Sequence, residues 1–320
     1  MKALTNFDLR KQEKKIFIIF VLAILVYTGF VLFADIRKII QASLHFNWFI
    51  VVGILILTFF NYIFRYLRFK YLLKTIDVEM PMKKLFPIFM SGIAMTVTPG
   101  KMGEVLKAYL IKQEKGIEFS RLVPILVFER VFDGIAMIMM ALGGIFFFRQ
   151  SILFFIFATG MVVSFFVLVA ANKFVLSLIK KFESRFFHAK ILDFAVSFFE
   201  HSQKLITFKN VLMSVLLGFI AWTLEGISLF WLVSQFTQTG IKDFFYSQFI
   251  FAFTSIAGFL VFIPGGVGIV EGSMSSFLTM FFGMTLPQAV FATLIFRFST
   301  LWFGLSLGLI FLLQYLKSNK

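Results

Sequence analysis

The chain has 320 residues, of which 60% are hydrophobic and 15% charged, with 50 Phe, no Cys and a formal net charge of +15. Soluble domains run near ~45–50% apolar and ~25% charged, so this balance describes an integral membrane protein. The missing cysteine removes disulfides, thiol nucleophiles and Cys-based metal sites, and His45, His188 and His201 lie too far apart to pair on one helix.

A polar, basic segment, residues 1–15, precedes Ile16 to Ala34, an apolar run of 19 residues. That is enough to span a bilayer at ~20 residues per crossing. It is read as a first transmembrane helix rather than a signal peptide, because the run is long and no A-x-A site follows. Asp35 to Phe46 mixes charge with Ile and Leu at helical spacing and is expected along the outer interface. Trp48 to Phe64 returns and ends in RYLRFKYLLK, where Arg65, Arg68, Lys70 and Lys74 read as an interfacial anchor with snorkelling cations.

Leu85 to Val97 is apolar for only 13 residues, contains Pro87 and Gly92, and closes on Thr98-Pro99-Gly100. A stretch that short is expected to re-enter rather than cross. Glu104 to Lys115 is half polar, carries Lys107, Lys112 and Lys115, and is expected back at the cytoplasmic side. Leu122 to Phe148 is long enough to cross despite Glu129, Arg130 and Asp133, and Ile152 to Ala171 crosses back. Asn172 to Asn210 reads as a cytoplasmic amphipathic segment, and Val211 to Val233 crosses outward carrying Glu225. Phe244 to Ile263 leads into a second interruption at Pro264 to Glu271, Gly272 to Phe282 leaves it, and Pro287 to Leu313 is the last span, with Arg297 inside it.

The fold class implied is all-α: a polytopic membrane protein of about six spanning helices plus two broken re-entrant hairpins, in inverted pseudo-repeat. One transmembrane domain covers 1–320, divided into N-terminal helices (1–84), a first repeat core (85–149), connecting helices (150–243) with the amphipathic segment 172–210, and a second repeat core (244–320). Of 31 Lys and Arg, 25 fall in segments that this topology places inside: five in 1–15, six in 65–84, five in 101–121, seven in 173–209 and two at the C-terminus. That asymmetry implies a cytoplasmic (inner) membrane with both termini in the cytoplasm. It favours anionic lipid headgroups as partners, not nucleic acid.

The repeat rests on TPGKMGE, Thr98 to Glu104, and IPGGVGIVEG, Ile263 to Gly272, each a Pro-Gly turn in an apolar region with a carboxylate beyond it. The hairpin turns fall on Pro99, Gly100 and Gly103, and on Pro264, Gly265, Gly266 and Gly268. Glu104 to Arg130 and Glu271 to Arg297 are both 26 residues, and Gly116 aligns with Gly283 at the same offset of 167. Three crossings separate the copies, so the second is upside down, the plan of secondary transporters whose broken helices meet at mid-depth.

Seven ionisable residues fall inside apolar segments: Glu104, Glu129, Arg130, Asp133, Glu225, Glu271 and Arg297. One reading is a polar cavity for a lipid headgroup, with Arg130 and Arg297 on its phosphate, Lys101 at the mouth, and Glu104 and Glu271 at helix N-termini that offer free N–H groups. The other is structural, each Glu–Arg pair clamping its hairpin to the following span. Glu129, Asp133 and Glu225 are candidate proton or ion-pair sites, with Glu225 alone in its span and Glu129 and Asp133 near the interface. PGKMGE lacks the Walker A ending, and no G-x-S-x-G or H-E-x-x-H occurs, so neither a catalytic set nor a cofactor is implied.

TPGKMGEVLKAYLI, VFERVFDGIAM, FIPGGVGIVEGSM and LIFRFSTLWFGLSLG, in that order within residues 91–309, resemble the flippase-like family. It is also called the lysylphosphatidylglycerol synthase transmembrane region, the membrane domain of the multiple-peptide-resistance factor. The family pattern falls on Pro99, Gly100, Gly103, Glu104, Glu129, Arg130, Asp133, Pro264, Gly265, Gly268, Glu271 and Arg297. The resemblance implies passage of an aminoacylated phospholipid or a similar lipid between leaflets, with a lipid-synthesising enzyme as partner. Because the chain stops at Lys320, directly after the last span, the translocating half is expected without the lysyltransferase. A membrane component of a lipid-modifying enzyme, or a transporter of glycolipid or polyprenyl-phosphate carriers, stays open.

Overall fold

A computed structural model describes residues 29, 35–44, 46–98, 104–145, 152–177, 189–261 and 263–318, and no strand occurs among them. The expected first crossing, 16–34, lies outside the described residues apart from Gly29. The helices are α1 (Ile36–Leu44), α2 (Phe49–Thr75), α3 (Met82–Ala94), α4 (Val105–Lys115), α5 (Phe119–Ile145) and α6 (Ile152–Ala170). They continue with α7 (Ala189–Leu205), α8 (Phe208–Val233), α9 (Ile241–Leu260), α10 (Ile269–Phe282), α11 (Leu286–Arg297) and α12 (Phe303–Ser318). Four stretches among the described residues are long and apolar enough to cross a membrane: α2, α8, α9 and the run Leu286–Ser318.

Two short stretches separate consecutive helices here, one between α3 and α4 and one between α9 and α10. Helix α3, at 13 residues, is about 20 Å long and ends in a tight turn at Met95–Val97. Helix α9 is followed by the turn Pro264–Gly266, in which Gly265 has φ of 62°, a left-handed conformation that a side chain disfavours. The two aligned glycines adopt one conformation: Gly116 closes α4 and Gly283 closes α10, both left-handed, at φ 68° and 63°.

Two apolar cores form. One collects the lower half of α2 with α3, α4 and the start of α5, including Phe69, Phe89 and Phe128. The other collects α8 to α11 with the far half of α5, including Leu229, Phe249 and Phe296. Helices α2 and α5 run through both: α2 contributes Ile54 to one core and Tyr66 to the other, and α5 divides between Phe132 and Ala136. The charged residues of these helices lie near that division.

The last apolar run is not a uniform α-helix. Phe298–Trp302 forms a π-helical turn directly after Arg297, and the Tyr62 hydroxyl donates to the Thr300 carbonyl at 2.8 Å. Such turns recur at functional sites. Just beyond, Gly304 and Gly308 let α12 press on α3: a Cβ at Gly308 would overlap Ala94 N and lie 2.7 Å from Met90 O. Small residues at this spacing are how helices approach closely inside a membrane.

Gly308→Ala therefore has to displace backbone, and it is expected to cost about 1–3 kcal/mol. Gly160→Ala, where a Cβ would meet nothing within 4 Å, is expected to be neutral or to stabilise by up to about 1 kcal/mol. Thermal unfolding of the detergent-solubilised protein checks the contrast.

Candidate functional site: a charged layer and the cavity beside it

Isolated ions at mid-membrane cost about 2.5–3.5 kcal/mol each on insertion scales, so buried charges need partners. Both 26-residue spacings turn out to be ion pairs: Arg130 Nη2 lies 3.0 Å from Glu104 Oε2, and Arg297 Nε lies 2.6 Å from Glu271 Oε1. The structural alternative is thus realised in both copies.

In the first copy the pair belongs to a larger network. Glu104 Oε2 also meets Lys107 Nζ at 3.2 Å, and Lys107 reaches Glu129 at 2.7 Å. Arg130 Nη1 lies 3.1 Å from Asp133, whose other oxygen lies 2.7 Å from Arg68 Nη2. The Trp222 indole N–H donates to Asp133 at 2.7 Å. Arg65 lies 3.9 Å from Glu104, with its guanidinium 4.9 Å from the Trp222 ring centroid.

Two expectations change here, and a third cation proves buried. Arg65 and Arg68 are not snorkelling anchors: they are 4% and 0% exposed, because α2 continues as one helix to Thr75 and carries them between α5 and α8. Lys107 is 1% exposed. It lies 4.7 and 5.3 Å from the Phe69 and Phe89 ring centroids, in space left by Gly92. Glu129 and Asp133 are buried rather than interfacial. A polar stripe at helical spacing, Thr58, Asn61, Tyr62, Arg65 and Arg68, was the signal for this face of α2.

In the second copy, Glu271 accepts the Gly268 N–H at 2.7 Å through Oε2 while Oε1 holds Arg297. The α10 N-terminus is therefore capped by its own carboxylate rather than left open for an anion. Arg297 Nη2 donates to the Gly265 carbonyl at 2.6 Å. One guanidinium thereby ties the Pro-Gly turn and α10 to the π-helical turn. In the first copy, Pro99, Gly100, Lys101 and Gly103 lie outside the described residues.

Between the networks lies a cavity of about 130 Å³. It has room for several waters and is below the ~300–1,000 Å³ of a site that encloses a drug-sized ligand. Thr96 and Thr98 border it from the first interruption, and Ile263, Gly265 and Gly266 from the second. A Cβ on Gly265 would lie 3.8 Å from Val97 Cγ1, so the two turns are neighbours. Among the described residues its charged lining is Arg65, Arg297 and Glu225. Of the two arginines expected at a shared site, Arg297 lines the cavity and Arg130 does not; Arg65 stands in that place. Asn61 Oδ1 and Arg65 Nε have no hydrogen-bond partner among the described residues, and both residues line the cavity.

Long apolar helices, two interrupted elements and a charged cavity between them define a multi-pass helical membrane protein. The chain belongs to the lysylphosphatidylglycerol synthase TM region family, whose sequence model matches residues 20–308. No curated protein gives a significant match to it.

Removing one member of a buried pair strands its partner, at a cost of roughly 3–5 kcal/mol. Lys107→Met is expected to fall in that range, whereas Lys204→Met, which breaks an exposed pair with Asp77, is expected to cost less than about 1 kcal/mol. Chemical denaturation in mixed micelles separates the two.

Proposed function

We propose that this protein moves a phospholipid-like molecule between the leaflets of the cytoplasmic membrane. Its headgroup occupies the cavity while the acyl chains stay in the bilayer. Both termini are cytoplasmic, and the two interruptions belong to oppositely oriented re-entrant hairpins. One observation carries this reading: one small cavity is bordered by Thr96 and Thr98 beside the first interruption, by Gly265 and Gly266 of the second, and by two arginines, Arg65 and Arg297. Two guanidiniums facing one space suit a phosphate, which each can bind through paired N–H groups.

The size of the cavity fits a headgroup and not a whole lipid, so the chains must remain outside it. Irregular backbone at membrane depth is tolerated where it lines a wet cavity, which accounts for the placement of both turns. Membership of a family named for a lysylphosphatidylglycerol synthase supports a phospholipid substrate, anionic or aminoacylated, and a lipid-synthesising enzyme as partner. Arg130, Glu104 and Asp133 act at one remove, by holding Arg65 and Trp222 in place.

Reconstitution into vesicles with a tail-labelled fluorescent phospholipid, followed by quenching of the outer leaflet, tests this directly. The wild type is expected to redistribute label at least about tenfold faster than empty vesicles, and Arg65→Gln to lose about tenfold or more of that rate. Arg65→Lys, which keeps the charge without the planar fork, is expected to fall between. Folded Arg65 variants that retain the full rate would exclude the headgroup role.

A further inference from the structure

Glu225 is used by neither network. Among the described residues it is the one buried carboxylate with no cation within 4.0 Å. Its hydrogen bond comes from the Thr58 hydroxyl at a long 3.4 Å, yet it is 3% exposed and lines the cavity. The titratable and charged groups around it come from several elements. Helix α2 brings Tyr62 and Arg65, α5 brings Asp133 behind Trp222, α11 brings Arg297, and α10 brings Glu271 behind Arg297. Helix α9 contributes the neutral Ser255 and Phe251.

The buried charges nearly cancel, and Glu225 completes the cancellation. Arg65, Arg68, Lys107 and Arg130 outnumber Glu104, Glu129 and Asp133 by one. Arg297 and Glu271 cancel each other. Among the described residues, the layer is therefore neutral only while Glu225 is ionised. A phosphodiester monoanion arriving between Arg65 and Arg297 adds one negative charge to an apolar surround, where net charge is costly. The one carboxylate without an ion pair, facing the same space, is the group that can remove it.

We infer that Glu225 takes up one proton each time an anionic headgroup occupies the cavity, so that lipid and proton move together. This rests on the headgroup reading of the cavity. The balance is simple: one phosphodiester monoanion and one proton from water come in together, no bond in the lipid changes, and the proton leaves with the lipid. A zwitterionic headgroup brings its own cation and needs no proton. By linkage, acidification tightens binding of the anionic lipid by the same factor by which that lipid tightens proton binding.

Titration calorimetry on the detergent-solubilised full chain tests this, with dioctanoyl-phosphatidylglycerol as probe, in two buffers of different ionisation enthalpy at one alkaline pH. The buffer dependence is expected to report about one proton taken up per lipid in the wild type and none in Glu225→Gln. The variant still binds, and above neutral pH about tenfold more tightly than the wild type, because it mimics the protonated form. Dioctanoyl-phosphatidylethanolamine is expected to bind without proton uptake. A wild-type signal independent of buffer, an unchanged signal in Glu225→Gln, or no binding of the anionic lipid overturns the inference. Leaflet redistribution without proton uptake removes this inference alone, and proton-linked binding without redistribution removes the transport reading and leaves only the coupling of binding to proton uptake.

Discussion

Pairing of buried charge is the constraint on which the rest of this structure depends. Helices α2 and α5 each carry ionisable residues through an otherwise apolar interior, and each would be costly alone. Together they form a layer in which Glu104 is shared by Arg65, Lys107 and Arg130, and Asp133 by Arg68, Arg130 and Trp222. The layer dictates the neighbours: α4 must approach α5 to deliver Lys107, and α8 must approach α2 to deliver Trp222. The two apolar cores pack on either side of that arrangement. A buried network of this kind adds little net stability compared with apolar packing, but breaking it is expensive. It specifies which helices meet.

The second repeat copy solves the same problem with fewer parts. One arginine, Arg297, holds a carboxylate and a turn carbonyl at once, and the carboxylate caps its own helix. What the two copies share is an interruption stabilised by a 26-residue Glu–Arg pair. Where they differ is in what faces the cavity: Arg297 itself in the second copy, and Arg65 from α2 in the first. The π-helical turn after Arg297 and the glycine contact of α12 on α3 bring the last helix against the first interruption, which closes the space between them.

Much of this was legible in the amino-acid order. The apolar runs marked the long helices, and the short run at 85–97 marked the broken one. The matched distances between Glu104 and Arg130 and between Glu271 and Arg297 fit the ion-pair alternative, which both pairs realise; the left-handed helix ends at Gly116 and Gly283 were not read from their alignment. Arg65 and Arg68 were misplaced for a physical reason: a cation near the end of an apolar run reads the same whether it reaches water or a carboxylate from a distant helix. The partners of α2, Glu104 and Asp133, lie more than thirty positions away, and only packing brings them near. Trp222 was passed over because an indole in a span is usually packing, whereas here its N–H binds a carboxylate.

The central claim is that the two interruptions face each other across one cavity. The chain contains no cysteine, so a cysteine pair introduced at Val97 and Gly265 can be read without background. A Gly265 Cβ would lie 3.8 Å from Val97 Cγ1, close enough for side chains there to meet, and because Gly265 has φ of 62° the variant is read only once its fold is confirmed. Mild oxidation of membranes carrying Val97→Cys with Gly265→Cys is expected to give an intramolecular cross-link, detected by mass spectrometry of the linked peptides and absent from either single variant. Failure of the folded double variant to cross-link, while both thiols still react with a small alkylating reagent, would contradict the account.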